Sequence, residues 1–295
     1  MAMASRREER IPHWILHAVL VLMVLVTVYP LLWVISIALS GGQSLALASL
    51  PADPGKLDLL RAVVPWPERF SAANFTAVFR DQPFGRWMLN SVIVSAATTV
   101  LGVFLASTAA YAFSRFRFPG RRTGMMSFLV SQMFPGTLML IPLYIIIVKW
   151  LGLGSTRIGL VLTYATTAIP FCVWMLKGYF DTIPRELEEA AIIEGAGPAR
   201  VFWVVVVPLA KPAIAITALF SFMTAWNEFI LAATFMDKED MYTAPVGLRF
   251  FVGGFSQQWG YFAAGSIIVS IPVVVLFLYL QKYLVSGLTA GSVKG

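Results

Sequence analysis

Charged residues and cysteine are scarce in this sequence. Only 13% of its 295 residues are charged, and Cys172 is the single cysteine. One thiol excludes an intramolecular disulfide framework, and its apolar neighbours are typical of a small buried side chain. About a quarter of the residues of ordinary soluble domains are charged, so the low charge argues against a soluble protein.

Motifs for catalysis or nucleotide binding are missing as well. The segment GLGSTRIG (residues 152–159) is rich in glycine, but it lacks the lysine of a phosphate-binding loop and precedes an apolar run. No nucleophile and base stand out as a pair, and His13 and His17 come with no further metal ligands. The sequence therefore predicts no ATP hydrolysis, no bound metal and no bound cofactor in this chain. An integral membrane enzyme is disfavoured for the same reason.

Apolar residues are abundant instead, and they occur in long runs. They make up 58% of the sequence, and about 20 consecutive residues let a helix cross the ~30 Å hydrocarbon core of a bilayer. We therefore predict an all-α polytopic membrane protein whose transmembrane domain covers residues 14–286 with six continuous helices. The predicted spans are residues 14–40, 88–114, 124–148, 158–180, 209–235 and 260–284, with an N-terminal segment at 1–13 and a C-terminal tail at 287–295.

The net charge of +7 comes from basic residues that flank the apolar runs. This distribution indicates contact with a lipid bilayer and not with nucleic acid, which would need one basic patch interleaved with aromatic residues. An even number of spans puts both termini on one side, and the short segment RFRFPGRR (115–122) carries four arginines on that side. By the positive-inside rule, we expect both termini to be cytoplasmic.

Prolines and small residues give expectations for single spans. Pro135, Pro142, Pro170 and Pro272 are expected to kink helices or to open short unwound stretches. The many small residues of 91–113 predict that the second span is an inner, packed helix.

The two long outer segments differ in character. Residues 41–87 contain four prolines, which predict irregular structure followed by a short amphipathic helix at SAANFTAVF (71–79). Residues 236–259 mix charges, glycines and aromatic residues. That mixture suits either a loop that contacts a partner or a merely solvated connection.

The segment 181–208, between the fourth and fifth spans, has the pattern of a helix–turn–helix on the cytoplasmic face. Pro184 suits a first helical turn, and residues 185–194 form a strong helix-forming run. Gly195 follows as a natural stop, where a left-handed residue lets the chain reverse. Pro198 then begins a second short helix that leads into the fifth span. The first helix is acidic, with Glu186, Glu188, Glu189 and Glu194 beside Arg185.

These residues resemble the signature of permease subunits of binding-protein-dependent ABC importers. The signature is Glu-Ala-Ala, three residues, Gly, nine residues, Ile, one residue and Leu-Pro. Here it is matched by Glu189-Ala190-Ala191, IIE, Gly195, nine residues, and Val205 to Pro208, with valine in place of isoleucine and leucine. Five further stretches resemble the maltose/maltodextrin (MalG type) branch: AYAFSRFRFPG (110–120), SQMFP (131–135), KGYF (177–180), TAWNEF (224–229) and the tail GLTAGSVKG (287–295). The outer segment 41–87 resembles that branch least.

The resemblance implies a type I importer permease that moves maltose, maltodextrin or a related oligosaccharide by alternating access. It implies three protein partners: a second permease of the MalF type, a cytoplasmic ATPase dimer of the MalK type that uses ATP and Mg²⁺, and an extracytoplasmic sugar-binding protein. The residues implied in docking to the ATPase are Glu189, Ala190, Ala191, Gly195 and Pro208. The residues implied in contact with the binding protein are Gly253, Gly254 and Phe255. The tail is expected to reach the ATPase dimer interface.

Glu228 is the one acidic residue that the predicted spans contain, and it follows Trp226 and Asn227. An acid within a membrane is costly and is a functional candidate by default. These three residues are a candidate substrate path, in which Trp226 stacks on a sugar ring. Alternatively, Glu228 bonds a neighbouring helix or lies near the outer membrane surface. A secondary transporter driven by an ion gradient remains the alternative function, although it predicts inverted repeats and intramembrane ion ligands that the sequence does not clearly show.

Overall fold

The computed structural model describes residues 12–47, 53, 55–67, 69–254 and 256–292, with side chains described as far as residue 283. These residues are almost entirely helical, and they form one isolated β-bridge, between Ser40 and Phe70. The prediction of an all-α fold is confirmed. The chain divides into two compact units. The first consists of Met1–Gln82 and Phe251–Ile267, and the second consists of Pro83–Phe250 and Ile268–Gly295.

The described residues of the first unit form three helices before its return segment, Phe251–Ile267. They are α1 (His13–Ala38), α2 (Lys56–Val63) and α3 (Ala73–Asp81). The amphipathic helix predicted at 71–79 corresponds to α3, whereas α2 was not predicted within the proline-rich stretch. Most side chains of α1 are exposed, and only its last three residues are buried. An apolar helix exposed on all sides is suited to a lipid environment.

Asn74 holds the end of α1, α3 and the return segment together. Its side-chain amide is buried and donates a hydrogen bond to the Ala38 carbonyl (3.1 Å), while its carbonyl accepts one from Gln43 (2.8 Å). A Cβ on Gly260 would lie 2.6 Å from Nδ2 of Asn74. Only glycine therefore fits at residue 260 without displacing this amide.

The second unit contains the remaining helices. They are α4 (Phe84–Arg115), α5 (Arg121–Met133), α6 (Gly136–Trp150), α7 (Arg157–Phe180), α8 (Arg185–Ile193), α9 (Pro198–Leu209), α10 (Lys211–Trp226), α11 (Ile230–Phe235) and α12 (Ala244–Leu248). The last helix, α13 (Trp259–Ser292), begins in the first unit and ends in the second. Short 3-10 turns lie at Glu239–Met241 and Arg249–Phe251.

The core of the second unit is built on α4 and α7, which pack against each other and against α10. The buried face of α4 is lined with small side chains, which let neighbouring helices approach closely. Those small residues are Ser91, Ser95, Thr98, Gly102, Ala106, Ser107 and Ala110. The prediction that the second span is an inner, packed helix is confirmed.

Within the described part of the chain, four helices are long and apolar enough to cross a membrane, and two bent helix pairs raise the number of candidate spans to six. The four are His13–Ala38, Phe84–Arg115, Arg157–Phe180 and Trp259–Tyr283. The pairs are α5 with α6, bent by 102°, and α9 with α10, bent by 82°. The predicted number of six is therefore reached only when each bent pair is counted as one span.

The continuity predicted for the third and fifth spans is wrong. The third is broken at Pro135, where a kink or an unwound stretch is expected, and the fifth is broken before Pro212 and again at residues 227–229, between α10 and α11. Pro135 lacks an N–H and forces Phe134 into an extended conformation (ψ 130°), so α5 ends at Met133. In the fifth span, Ala210 leaves the helical region (ψ 7°) just before Pro212 in the first turn of α10. By contrast, Pro170 and Pro272 lie inside helices that continue through them.

Candidate functional site

The helix–turn–helix predicted between the fourth and fifth spans is present as α8 and α9. Gly195 has φ 89°, in the left-handed region. Its N–H donates to the Ile192 carbonyl (2.9 Å), and the N–H of Ala196 donates to the Ala191 carbonyl (2.9 Å). These two bonds close α8 as a Schellman motif, which satisfies carbonyls that would otherwise be unpaired. Pro198 then occupies the first turn of α9, so the predicted turn is confirmed.

One side of α8 is exposed and partly apolar. Glu189 and Ala190 are exposed, and the side chain of Ile193 retains 87% of its surface. Leu187 and Ile192 are also exposed. Among the described residues, Glu189 has no hydrogen-bond or ion-pair partner. Apolar side chains beside an unpaired acid form a surface that a partner protein can cover.

A buried ion pair attaches α8 to the rest of its unit. Glu188 is 6% exposed, and its Oε1 accepts a hydrogen bond from Nε of Arg115 at 2.5 Å. Its Oε2 accepts a bond from the Tyr111 hydroxyl at 3.1 Å. Arg115 also donates to the Ile183 carbonyl (3.1 Å) and to Oγ of Ser114 (2.9 Å). The end of α4 is thus bonded both to α8 and to the linker that precedes it.

A second polar link joins the ends of α4 and α7. The Ser114 hydroxyl donates to Oδ1 of Asp181 at 2.6 Å, and Lys177 forms an ion pair with the same carboxylate. Burial raises the pKa of Asp181, but the hydrogen bonds from Lys177 and Ser114 and the charges of Lys177 and Arg115 outweigh it and lower the pKa below its usual value. Asp181 is therefore a carboxylate that accepts hydrogen bonds.

The predicted docking residues divide into two groups. Glu189, Ala190, Ala191 and Gly195 lie together on α8 and its turn. Pro208 lies near the other end of α9. It is about 15 Å from Pro198, where α9 begins, at a helical rise of 1.5 Å per residue. It belongs to the bend between α9 and α10 rather than to the exposed surface of α8. A cavity of ≈ 200 Å³ adjoins the turn and is lined by Ala191, Glu194, Ala196, Arg200, Val201, Val204 and Val205.

The three residues of the predicted substrate path occupy different environments. Trp226 is only 2% exposed, its indole stacks on Phe222, and its Nε1 donates to the Val269 carbonyl (3.2 Å). The expectation that Trp226 stacks on a sugar ring is therefore corrected: it is a core residue whose ring faces are covered. Asn227 is exposed, and its side chain donates to the Met223 carbonyl (2.9 Å).

Glu228 lies in the break between α10 and α11, not inside a continuous helix. Its two carboxylate oxygens accept hydrogen bonds from the backbone N–H groups of Leu231 (2.9 Å) and Ala232 (3.0 Å). The acid thus caps the amino end of α11, where a negative charge is favoured. These bonds are local to the helix that follows Glu228, so its role in a substrate path stays a prediction.

The segment before the predicted binding-protein loop is fixed to the start of α4. Trp87 is fully buried and donates from Nε1 to the Glu239 carbonyl (2.8 Å). Asn90 donates to the carbonyls of Asp240 and Tyr242, both at 2.9 Å, and accepts a bond from Arg157. This stretch is therefore more than a solvated connection. The sequence analysis missed the roles of Trp87, Asn90 and Arg157.

The predicted loop residues themselves are only partly described. Gly253 and Gly254 are exposed and follow the 3-10 turn at Arg249–Phe251. Phe255 lies outside the described residues. The side chains of the tail at 287–295 also lie outside them. Contacts of these residues with a binding protein or an ATPase remain predictions.

The sequence is similar to that of known membrane transport proteins. Residues 98–289 match the family of the "binding-protein-dependent transport system inner membrane component". The maltose/maltodextrin transport system permease protein MalG of Salmonella typhimurium is 36% identical over 303 residues, which cover 100% of both chains. The maltodextrin transport system permease protein MdxG of Bacillus subtilis is 35% identical, over 94% of each chain. The inner membrane ABC transporter permease protein YcjP of Escherichia coli is 38% identical, over 78% of this chain and 82% of that protein.

The fold also matches that of a solved transporter. One chain of a bacterial ABC transporter involved in the import of the acidic polysaccharide alginate superimposes with a TM-score of 0.79, over 96% of this chain and 99% of that chain, at 22% identity. At this identity the match concerns the fold alone. Together with the family match and the end-to-end similarity to MalG, it shows that this chain belongs to the binding-protein-dependent inner-membrane permeases of ABC importers.

Proposed function

We propose that this chain is a permease subunit that carries maltose, maltodextrin or a related oligosaccharide into the cell, driven by ATP that partner subunits hydrolyse. The observation that carries the proposal is the exposed surface of α8, which offers Glu189 and apolar side chains and is bonded from behind to the end of α4. The names of the full-length relatives MalG and MdxG support the choice of sugar.

In this proposal the surface of α8 docks onto a cytoplasmic ATPase dimer of the MalK type. Ala190 and Ala191 allow close approach of a partner, and Glu189 accepts charge-assisted hydrogen bonds from it. When ATP binding closes the dimer, the helix–turn–helix moves as a rigid body. The motion passes through α9 to the 82° bend before α10 and changes the side from which the path is open.

The remaining partners follow from the same proposal. A second permease of the MalF type completes the path, and an extracytoplasmic binding protein delivers the sugar to the loop that contains Gly253, Gly254 and Phe255. The ATPase subunits bind ATP and Mg²⁺, for which this chain has no phosphate-binding loop. No group of three metal-ligating side chains occurs among the described residues.

The ion pair supports a cytoplasmic location for α8. Arg115 begins the short segment with four arginines, and its bond to Glu188 puts α8 on the same side as that segment. A short, strongly basic connection is typical of the cytoplasmic side. The docking surface and the basic segment would then face the ATPase together.

An ion-driven secondary transporter is the second candidate function. It would need a protonatable or ion-binding side chain within the membrane. Glu228 is the one acidic residue of the predicted spans, and backbone N–H groups at the start of α11 already bind both of its oxygens. This candidate also gives no role to the exposed surface of α8.

Uptake by proteoliposomes distinguishes the two candidates. The complex is reconstituted with sugar-loaded binding protein, and uptake of maltose, trehalose and an acidic oligosaccharide is measured with Mg-ATP or with an ion gradient. We expect uptake of a neutral sugar that needs ATP. The double variant E189K/G195P should lose most of the stimulated ATPase activity, whereas D81K on α3, an exposed control, should keep it. Uptake driven by an ion gradient and unaffected by E189K/G195P would refute the proposal.

A further inference from the structure

The attachment of α8 to the rest of its unit is polar. All nine residues of this helix are described, and Glu188 is the only one that is buried. The apolar residues Leu187, Ile192 and Ile193 of the same helix are exposed. Hydrophobic packing, the usual anchor of an amphipathic helix, is limited here to the half-buried Ala191 beside α9, and the buried carboxylate of Glu188 supplies the polar anchor.

The carboxylate is bound from several directions. The side chains of Glu188 and Arg115 are each 9% exposed. Arg115 and Tyr111 supply one donor to each oxygen of Glu188, and Arg115 uses its other nitrogens for the Ile183 carbonyl and the Ser114 hydroxyl. Removing one member would leave a buried charge without its partner, which is strongly unfavourable.

A buried ion pair of this kind fixes the relative orientation of the two helices more than it contributes to the stability of the fold. Well-packed apolar residues of similar volume are often as stabilising as a buried ion pair, so stability alone does not require charges at these two positions. A guanidinium is planar and directional. It fixes the distance and the orientation of its carboxylate partner, and through Glu188 it fixes the orientation of α8 relative to the end of α4.

We propose that Arg115 and Glu188 are positioning residues that make α8 and the ends of α4 and α7 one rigid body during the transport cycle. The inference rests on the proposed function, in which α8 receives the movement of the ATPase. Ser114 and Asp181 extend the rigid body to α7, since the hydroxyl of Ser114 lies between Arg115 and the Asp181 carboxylate. Movement of α8 would then reach two spans directly, in addition to the route through α9.

The first experiment measures the ratio of sugar uptake to ATP hydrolysis in reconstituted complexes. E188Q and R115Q are compared with wild type, and D81N, which removes the charge of the exposed pair Arg80–Asp81, is the matched control. We expect the variants to assemble and to hydrolyse ATP while uptake per ATP falls about tenfold, because a loose α8 no longer transmits its movement. D81N should behave like wild type.

A milder variant covers the case in which E188Q and R115Q do not assemble. Y111F removes one hydrogen bond from Glu188 and keeps the ring contact with Phe202, whose centroid lies 5.0 Å away. We expect uptake per ATP to fall about twofold to threefold in Y111F with assembly unchanged. Loss of assembly in E188Q together with wild-type coupling in Y111F would overturn the inference, because the pair would then serve folding only.

A distance measurement tests rigidity directly. In a C172S background, spin labels are attached at E186C on α8 and R117C after α4, both exposed positions. Pulsed electron paramagnetic resonance should give one narrow distance that is the same without nucleotide and with ATP, and E188Q should broaden it. A distance that differs between the two states with the pair intact would overturn the inference. If wild type shows no sugar-stimulated ATPase activity at all, the proposed function itself fails, whatever the labels report.

Discussion

Glu188 and Glu189 are adjacent in the sequence but differ in environment, because only the first of them is buried. The first is buried against Arg115, and the second is exposed without a partner among the described residues. Successive residues of an α-helix point about 100° apart, so one residue can hold the helix in place while the next meets a partner. The two acids therefore differ in role although they are identical in chemistry.

The left-handed turn at Gly195 gives the first prediction. A Cβ at this position would meet no atom within 4 Å, so any cost of G195A comes from the backbone conformation alone. We expect G195A to destabilise the helix end by about 1 kcal/mol. Thermal unfolding of the purified complex in detergent measures the effect. G178A, at an uncrowded position inside α7, is the control and should be neutral or slightly stabilising. Equal effects of the two variants would contradict the prediction.

The second prediction concerns the contact between Gly247 and Trp87. A Cβ on Gly247 would lie 2.0 Å from Cε3 of the buried Trp87 ring. G247A should therefore force a displacement and destabilise the protein by about 1–3 kcal/mol, measured by the denaturation temperature in detergent. G136A, where a Cβ has open space, is the matched control. If G247A melts like G136A, α12 does not pack against Trp87 as described.

Glu228 gives the third prediction. E228A removes the cap of α11 and should destabilise the protein by about 1 kcal/mol without changing the KM for sugar. Substrate-dependent uptake and thermal unfolding are measured on the same samples. D237N, at an exposed acid nearby, should change neither quantity. A raised KM with unchanged stability would instead put the acid in the substrate path.

The fourth prediction concerns Trp226. W226F keeps most of the ring but loses the hydrogen bond to the Val269 carbonyl, so it should destabilise the protein by about 1–2 kcal/mol while sugar affinity is retained. W150F, at an exposed tryptophan, serves as the control. Loss of sugar affinity in W226F without loss of stability would show that the indole meets the substrate after all.

Local signals in the sequence were sufficient for the helix–turn–helix. Gly195 and Pro198 act through their own backbone preferences and have the predicted roles, whereas Pro184 lies just before the first turn of α8, as its N-cap residue. The same preferences also caused the breaks at Pro135 and Pro212. The expectation of a kink or an unwound stretch at Pro135 is confirmed. Hydropathy does not indicate the break before Pro212, because it averages over a window and is insensitive to a single missing N–H.

Long-range pairing was beyond the reach of sequence patterns. Nothing in the run of acids at 186–189 distinguishes Glu188, because its partner Arg115 lies 73 residues earlier in the chain. Arg115 itself was counted only as one of several basic residues near the membrane. Trp226 was misassigned for a similar reason: an aromatic ring next to an acid is typical of sugar sites, but its burial depends on Phe222 and on the carbonyl of Val269.

The exposure of α1 has a consequence for how this sequence can change over time. From residue 14 to residue 28, contacts within the chain place almost no demand on side-chain identity, so long as the stretch remains apolar and helical. Mutational drift should therefore be fast along this stretch and slow from Ser36 onward, where burial begins. A saturation library read out by growth would show a boundary of tolerance close to Ser36.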